Sequence, residues 1–142
     1  MDIFGGEVMA RIKHIALATR DPEATAKFYI DGLGLTEVGK LNSPTAEGYY
    51  LSDGYVNLAI LKFKYDDPAT TEGQLRYTGI HHLGFQIEDM NKARQKIEGA
   101  GAVHRPYPGT EAMEARGNVE IKFSGPDGVT VDLSETGWAG GS

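Results

Sequence analysis

Apolar and polar positions along this chain fall into short runs, and the runs form two successions of the same kind. Residues 11–19 carry apolar side chains at Ile12, Ile15, Leu17 and Ala18 and read as a buried strand. Asp21-Pro22-Glu23 then starts a helix, with Asp as N-cap, Pro at the first helical position and Glu where the helix dipole favours an acid. Ala24, Phe28 and Tyr29 supply the expected apolar face, and Gly32 and Gly34 stop the helix. Three strands follow at 35–40, 48–51 and 55–64, the last two joined by Asp53-Gly54, a favoured hairpin turn. After a polar linker the order repeats. A strand over 79–87 leads to a helix capped by Asp89, with Met90, Ala93 and Ile97 on one face. Strands near 102–105, 119–124 and 129–134 complete the second half, with Pro126-Asp127-Gly128 turning between the last two. Each half therefore reads β-α-β-β-β.

The repetition extends to side chains. His14-Ile15-Ala16-Leu17 returns as His82-Leu83-Gly84-Phe85, and each tetrapeptide is followed by a capping aspartate, Asp21 or Asp89, and a helical run to a glycine. Two copies of one supersecondary unit are implied, each too small to bury a core alone. Both repeated strands carry a histidine at the same point, and imidazole is the commonest metal ligand, so two such histidines would face each other across a pseudo-twofold axis. His81 is expected on the opposite face by strand alternation, as a surface or supporting residue, and His104 at the surface. Between 106 and 118 the second half carries a longer loop, of a length that often serves function, although Glu111, Glu114 and Arg116 within it read as surface charges.

Composition narrows the classes. The chain has 142 residues and 40% hydrophobic content, which suits one folded domain. The expected layout is a leader over 1–10, a single domain over 11–138 and a tail over 139–142. Within the domain, modules at 11–65 and 78–138 flank a linker at 66–77. Met9 offers a second translation start. No run approaches the roughly 18 apolar residues of a membrane span, and no basic segment leads an apolar stretch at the N-terminus, so a cytoplasmic protein is expected. The absence of cysteine excludes disulfides and thiolate ligands, leaving His, Asp and Glu for metal chemistry. A net charge of −6 opposes a nucleic-acid partner.

In this order and spacing, His14-Ile15-Ala16-Leu17, Phe28-Tyr29 before Gly32-Leu33-Gly34-Leu35, His82-Leu83-Gly84-Phe85, and Gly125-Pro126-Asp127-Gly128 leading into Val131-Asp132-Leu133 resemble the vicinal oxygen chelate superfamily. That superfamily groups glyoxalase I, methylmalonyl-CoA epimerase, extradiol dioxygenases, fosfomycin-modifying enzymes and bleomycin-binding proteins. The resemblance spans roughly residues 12–138. It implies an α+β fold of two βαβββ modules forming an incomplete barrel around a cleft, the glyoxalase/bleomycin resistance/dihydroxybiphenyl dioxygenase fold, with a divalent metal at the strand edges. Carried over, its ligands are His14, His82 and Asp132, the last an acid one methylene shorter than the usual Glu. A fourth ligand belongs on the last strand of the first module, but Ala59, or its neighbour Leu58, stands there, and Asn57 is a distant substitute.

Two histidines and one carboxylate match the facial triad of non-haem Fe(II) oxygenases, so the expected activity is dioxygenase-like. The substrate would be a small molecule with two adjacent oxygens, and Fe(II) is favoured over Mn(II), Ni(II) or Zn(II). Two alternatives stand beside it: a glyoxalase- or epimerase-type lyase or isomerase, and a metal-free binding protein of the bleomycin-resistance type. Tyr50, Asn57, Ala59 and Phe63 are expected to line the substrate cleft, and Glu47 is a candidate general base. Lys62, Lys64 and Lys122 are the cations available to an anionic substrate. A homodimer is expected, with no nucleic-acid or membrane partner.

Overall fold

The computed structural model describes residues 10–64, 77–106 and 120–141. Nearly all of the expected leader and of the linker, and Glu111, Glu114 and Arg116 of the long loop, lie outside these residues, and Ala10 of the expected leader already belongs to the first strand. Two rounds of the same order are present: β1 (Ala10–Ala18), α1 (Pro22–Leu33), β2 (Thr36–Asn42), β3 (Ala46–Ser52) and β4 (Asn57–Phe63), then β5 (Gly79–Ile87), α2 (Met90–Gly99), β6 (Val103–His104), β7 (Ile121–Ser124) and β8 (Thr130–Ser134). The strands form one mixed sheet in the order β2-β3-β4-β1-β5-β8-β7-β6, which does not close on itself. Each module's last strand returns parallel to its own first strand, and the two first strands pair antiparallel at the centre.

That central pairing sets the symmetry. His14 lies opposite Gly84, and His82 lies opposite Ala16, two contacts that are images of each other. Small residues opposite both histidines leave room for two imidazoles on one face. The register slips once on each strand: Lys13 is the extra residue between the Ile12 and His14 pairings, and His81 the extra residue between those of Ile80 and His82. These β-bulges sit at equivalent points of the repeat, one residue ahead of each histidine, where a bulge re-aims the side chain that follows.

The helices cap as expected. Asp21 accepts a hydrogen bond from the Ala24 amide at 3.0 Å, and Asp89 one from the Lys92 amide at 3.1 Å. Gly34, left-handed at φ 75°, ends α1, whereas Gly32 lies inside it. The face of α1 differs from expectation. Ala24 is exposed and Phe28 is 64% exposed, while Ala26, Tyr29 and Ile30 pack on Leu51 and Ile60 of the sheet. Both stripes have helical spacing, and the Ala26 stripe is the one that meets the larger apolar surface. The hairpin before β4 also differs. Asp53 Oδ1 accepts the amides of both Tyr55 and Val56 at 2.8 Å, so four residues separate the paired Ser52 and Asn57 and the strand starts at Asn57.

Apolar clusters occupy both faces of the sheet. On one face, Ala93 of α2 packs on Ile87, Ile121, Phe123 and Leu133 of the sheet. On the face shared with the two histidines, Ala16, Ala46, Ala59 and Leu61 pack with Leu41, Tyr50 and Phe63. A methyl group at residue 84 would come within 2.7 Å of both the His14 Cβ and the Trp138 ring, while one at residue 99 meets nothing within 4 Å. Gly84→Ala is therefore expected to lower stability by about 1–3 kcal/mol and Gly99→Ala to leave it within about 1 kcal/mol of the parent, as read by urea denaturation.

Candidate metal centre

Three buried side chains meet at the middle of the sheet. His14 Nε2 lies 3.0 Å from His82 Nε2, and His82 Nε2 lies 3.1 Å from Asp132 Oδ2. Two donors on adjacent corners of an octahedron with ~2.1 Å metal–nitrogen bonds stand about 3.0 Å apart, so this spacing is that of ligands around one ion. Donor atoms of all three residues lie within 4.8 Å of one another. Among the described residues, Asp132 Oδ1 is buried without a hydrogen-bond partner, an orphaned lone pair that a cation would satisfy. These residues fit a divalent metal.

The neighbours fix how the donors present themselves. Asn57 donates its amide N–H to the Ala139 carbonyl at 2.8 Å, which turns Oδ1 toward His14 Nδ1 at 2.7 Å. His14 therefore donates from Nδ1 and keeps its Nε2 lone pair for the cluster. The Trp138 indole stacks on the His14 ring, with centroids 4.7 Å apart and planes within 4°. His82 Nδ1 is bonded to His81 Nδ1 at 2.7 Å, and the His81 ring stacks on Phe63. His81 thus does not turn to the opposite face: it is the bulged residue of β5, and the bulge breaks the alternation that would have sent it there.

Charge is concentrated at the other end of the cluster. Lys122 Nζ lies 2.7 Å from Asp132 Oδ2 and 3.2 Å from Glu120 Oε2, and the Trp138 indole N–H donates to Glu120 Oε1. Burial alone would depress the Lys122 ammonium, but Asp132 and Glu120 together override it and hold the group above its ordinary value. Burial pushes His82 well down, helped by Lys122 and His14, and pushes His81 down to about 3, helped by His82 and Lys122. The Tyr50 hydroxyl is held up, first by burial and then by Glu120, with Lys122 opposing.

The sequence profile described as the Glyoxalase/Bleomycin resistance protein/Dioxygenase superfamily matches residues 11–133. The chain belongs to this superfamily. It is 30% identical over 102 residues to an ethylmalonyl-CoA/methylmalonyl-CoA epimerase of Cereibacter sphaeroides, covering 67% of this chain and 74% of the relative. It is 24% identical over 129 residues to an uncharacterized Bacillus subtilis protein, YwkD, covering 90% and 98%. Among solved structures it is similar to a Streptomyces coelicolor methylmalonyl-CoA epimerase variant in complex with 2-nitronate-propionyl-CoA (TM-score 0.67, 22% identity, 89% of this chain and 96% of that one). A hypothetical protein of Bacillus halodurans, BH1468, is also similar (TM-score 0.66, 22% identity, 88% and 93%). These structural likenesses establish the shared fold.

Within the superfamily fold, strand register places the other expected residues. His14 pairs with Asn57 and His82 with Thr130, so Ala59 stands at the counterpart of Asp132, two residues further along β4. Tyr50 pairs with Ala59 as Lys122 pairs with Asp132, and Tyr50, Ala59 and Phe63 share the face of the donors. Asn57 reaches this face too, bonded to His14. Glu47 does not join them: it lines a groove of about 650 Å³ with Arg20, Lys40, Tyr49 and Lys62, on the side of β3 that Tyr49 turns toward α1. Lys122, Glu120, His81 and Trp138 are the members of the site that periodicity did not single out.

The buried histidines make a pH prediction for the metal-free protein. Below the ordinary value of 6.5, and for His81 down to about 3, both imidazoles bind fewer protons folded than unfolded, so stability falls as pH drops below 6.5. The urea midpoint should decline from pH 6.5 downward, and His81→Asn should flatten the decline. A midpoint constant from pH 7 to 4 would contradict the burial of neutral imidazoles.

Proposed function

We propose that this protein is a divalent-metal-dependent enzyme that moves a proton on carbon next to a carbonyl, an isomerase of the epimerase type, with an acyl thioester as substrate. The single observation that carries this reading is the buried His14–His82–Asp132 cluster with the orphaned Asp132 Oδ1. The relationship to the Cereibacter epimerase supports the choice of reaction over ring cleavage. His14, His82 and Asp132 would hold the cation. When bound, it would act as a Lewis acid toward two substrate oxygens and stabilise the charge that develops when the adjacent proton leaves.

The chain's own groups do the rest. Lys122 fixes a positive charge beside the cluster in a water-poor setting, where it adds to stabilisation of the same developing charge. The Tyr50 hydroxyl keeps its proton, because its surroundings disfavour the phenolate, and so serves as a hydrogen-bond donor to a substrate oxygen. Glu120, in contact with Lys122 and Trp138 and partly open to solvent, is the proton acceptor in this reading. Leu41 and Phe63, partly buried and packed on the Ala16, Ala46, Ala59 and Leu61 cluster, offer apolar contact to the part of the substrate that does not ligate. The outer strands β2 and β6, paired on one side only among the described residues, support association as a homodimer.

The specific observation favouring the dioxygenase reading is Ala59, which leaves the site one protein ligand short of the four expected of epimerase-type members. One experiment separates the two. The protein is loaded in turn with Mn(II), Ni(II), Zn(II) and, anaerobically, Fe(II). It is then incubated in D2O with methylmalonyl-CoA or ethylmalonyl-CoA and assayed for deuterium at the α-carbon. Metal-dependent exchange is expected, falling by about a thousandfold or more in His82→Ala. Oxygen-dependent ring cleavage of a catechol without any α-exchange would replace this reading with the dioxygenase one.

A further inference from the structure

The segment that follows β8 lies beyond residue 133, where the superfamily match ends, yet its backbone and one side chain are built into the cluster. Trp138 stacks on His14 and donates to Glu120, Glu120 contacts Lys122, Lys122 contacts Asp132, Asp132 contacts His82, and His82 returns to His14. The six residues close a ring of contacts. One residue further on, the Ala139 carbonyl takes the Asn57 amide N–H, which sets the Asn57 oxygen on His14 Nδ1. The Gly140 carbonyl takes the Ser52 hydroxyl at 2.7 Å, and the Gly137 amide donates to Ser134 Oγ at 3.0 Å. Gly137 and Gly140 both adopt left-handed φ of 75°, which lets the chain double back over the sheet. Gly84 supplies the space the indole occupies.

We infer that this C-terminal segment is a positioning element of the metal centre, with Trp138 fixing the plane of the His14 ring and the Ala139 carbonyl fixing its tautomer through Asn57. The inference rests on the metal-site reading for its consequence and on the contacts themselves for its geometry. A ligand imidazole needs both its plane and its protonated nitrogen set, and losing such support typically weakens a metal by about 10–100-fold. Here the plane comes from an aromatic face and the tautomer from a backbone carbonyl one residue away. Trp138 touches no reacting atom in this account. It acts through His14, and through Glu120 on the placement of Lys122.

The test uses the full chain, with Zn(II) and Mn(II) as probes in competition against a chromophoric chelator. Nitrogen-15 spectra of the histidines in metal-free protein give a second readout that folding alone would not move. Trp138→Ala should weaken both metals by about 10–100-fold, while Asn57→Leu, which removes the acceptor from His14 Nδ1, should convert His14 from a single Nδ1–H tautomer to a mixture. Trp138→Phe, which keeps a stacking ring, should stay within about threefold of the parent and keep the single tautomer. Trp138→Leu, which fills the volume without a plane, should follow Trp138→Ala and serves if the alanine variant does not fold. Parent-like affinity in Trp138→Leu would overturn the proposal, as would Trp138→Phe binding as weakly as Trp138→Leu or a single Nδ1–H tautomer retained in Asn57→Leu. If the parent binds no metal, the proposed function fails, and the tautomer spectra still test the positioning role on their own.

Discussion

The contact between His14 and His82 across the central pair of strands is the constraint on which the rest of the structure depends. Two imidazole nitrogens are brought to 3.0 Å in a buried place, and each can be there only because its cross-strand neighbour is small, Gly84 for one and Ala16 for the other. A repeated unit makes this economical. The antiparallel pairing of two copies turns one histidine per module into two that face each other, and a bulge at Lys13 and its counterpart at His81 aims both onto one face. The parallel return of β8 then brings Asp132 to the same point, while the parallel return of β4 brings Ala59.

The asymmetry between those two positions gives the site its electrical character. On the second module's side a carboxylate is buried with a lysine across the ladder; on the first module's side, alanine is buried with a tyrosine across the ladder. Buried ion pairs seldom gain net stability, because desolvation of both charges offsets their attraction. Lys122 and Asp132 are thus better understood through what they do to the site. The ammonium is satisfied by Asp132 on one side and Glu120 on the other, and the oxygen Oδ1 is left without a partner. A cation drawn to that orphaned oxygen would enter beside a fixed positive charge, whose repulsion would lower its affinity.

Much of this is legible in the chain. The period of the repeat marked His14 and His82, and the helix caps at Asp21 and Asp89 carry hydrogen bonds at the expected amides. What escaped was whatever depends on pairing geometry. His81 obeys alternation on paper, and only a bulge brings it to Phe63 and His82. Lys122 reads as one of several lysines until β7 is set in register with Asp132. Trp138 lies in a glycine-rich end with no periodicity, and its stacking on His14 follows from a chain reversal at Gly137 and Gly140. The face of α1 is not fixed by the sequence alone, because two stripes with the same spacing compete and the sheet decides between them. Glu47 has the chemistry of a base, but alternation along β3 turns it toward the outer groove.

X-ray absorption at the metal edge tests the central claim most directly. Protein loaded with one equivalent of Zn(II) should show two imidazole ligands at about 2.0–2.1 Å with oxygen completing the shell, and His82→Ala and Asp132→Ala should each remove their own contribution. A spectrum with no imidazole scattering, or the same spectrum from all three proteins, would contradict a metal held by His14, His82 and Asp132.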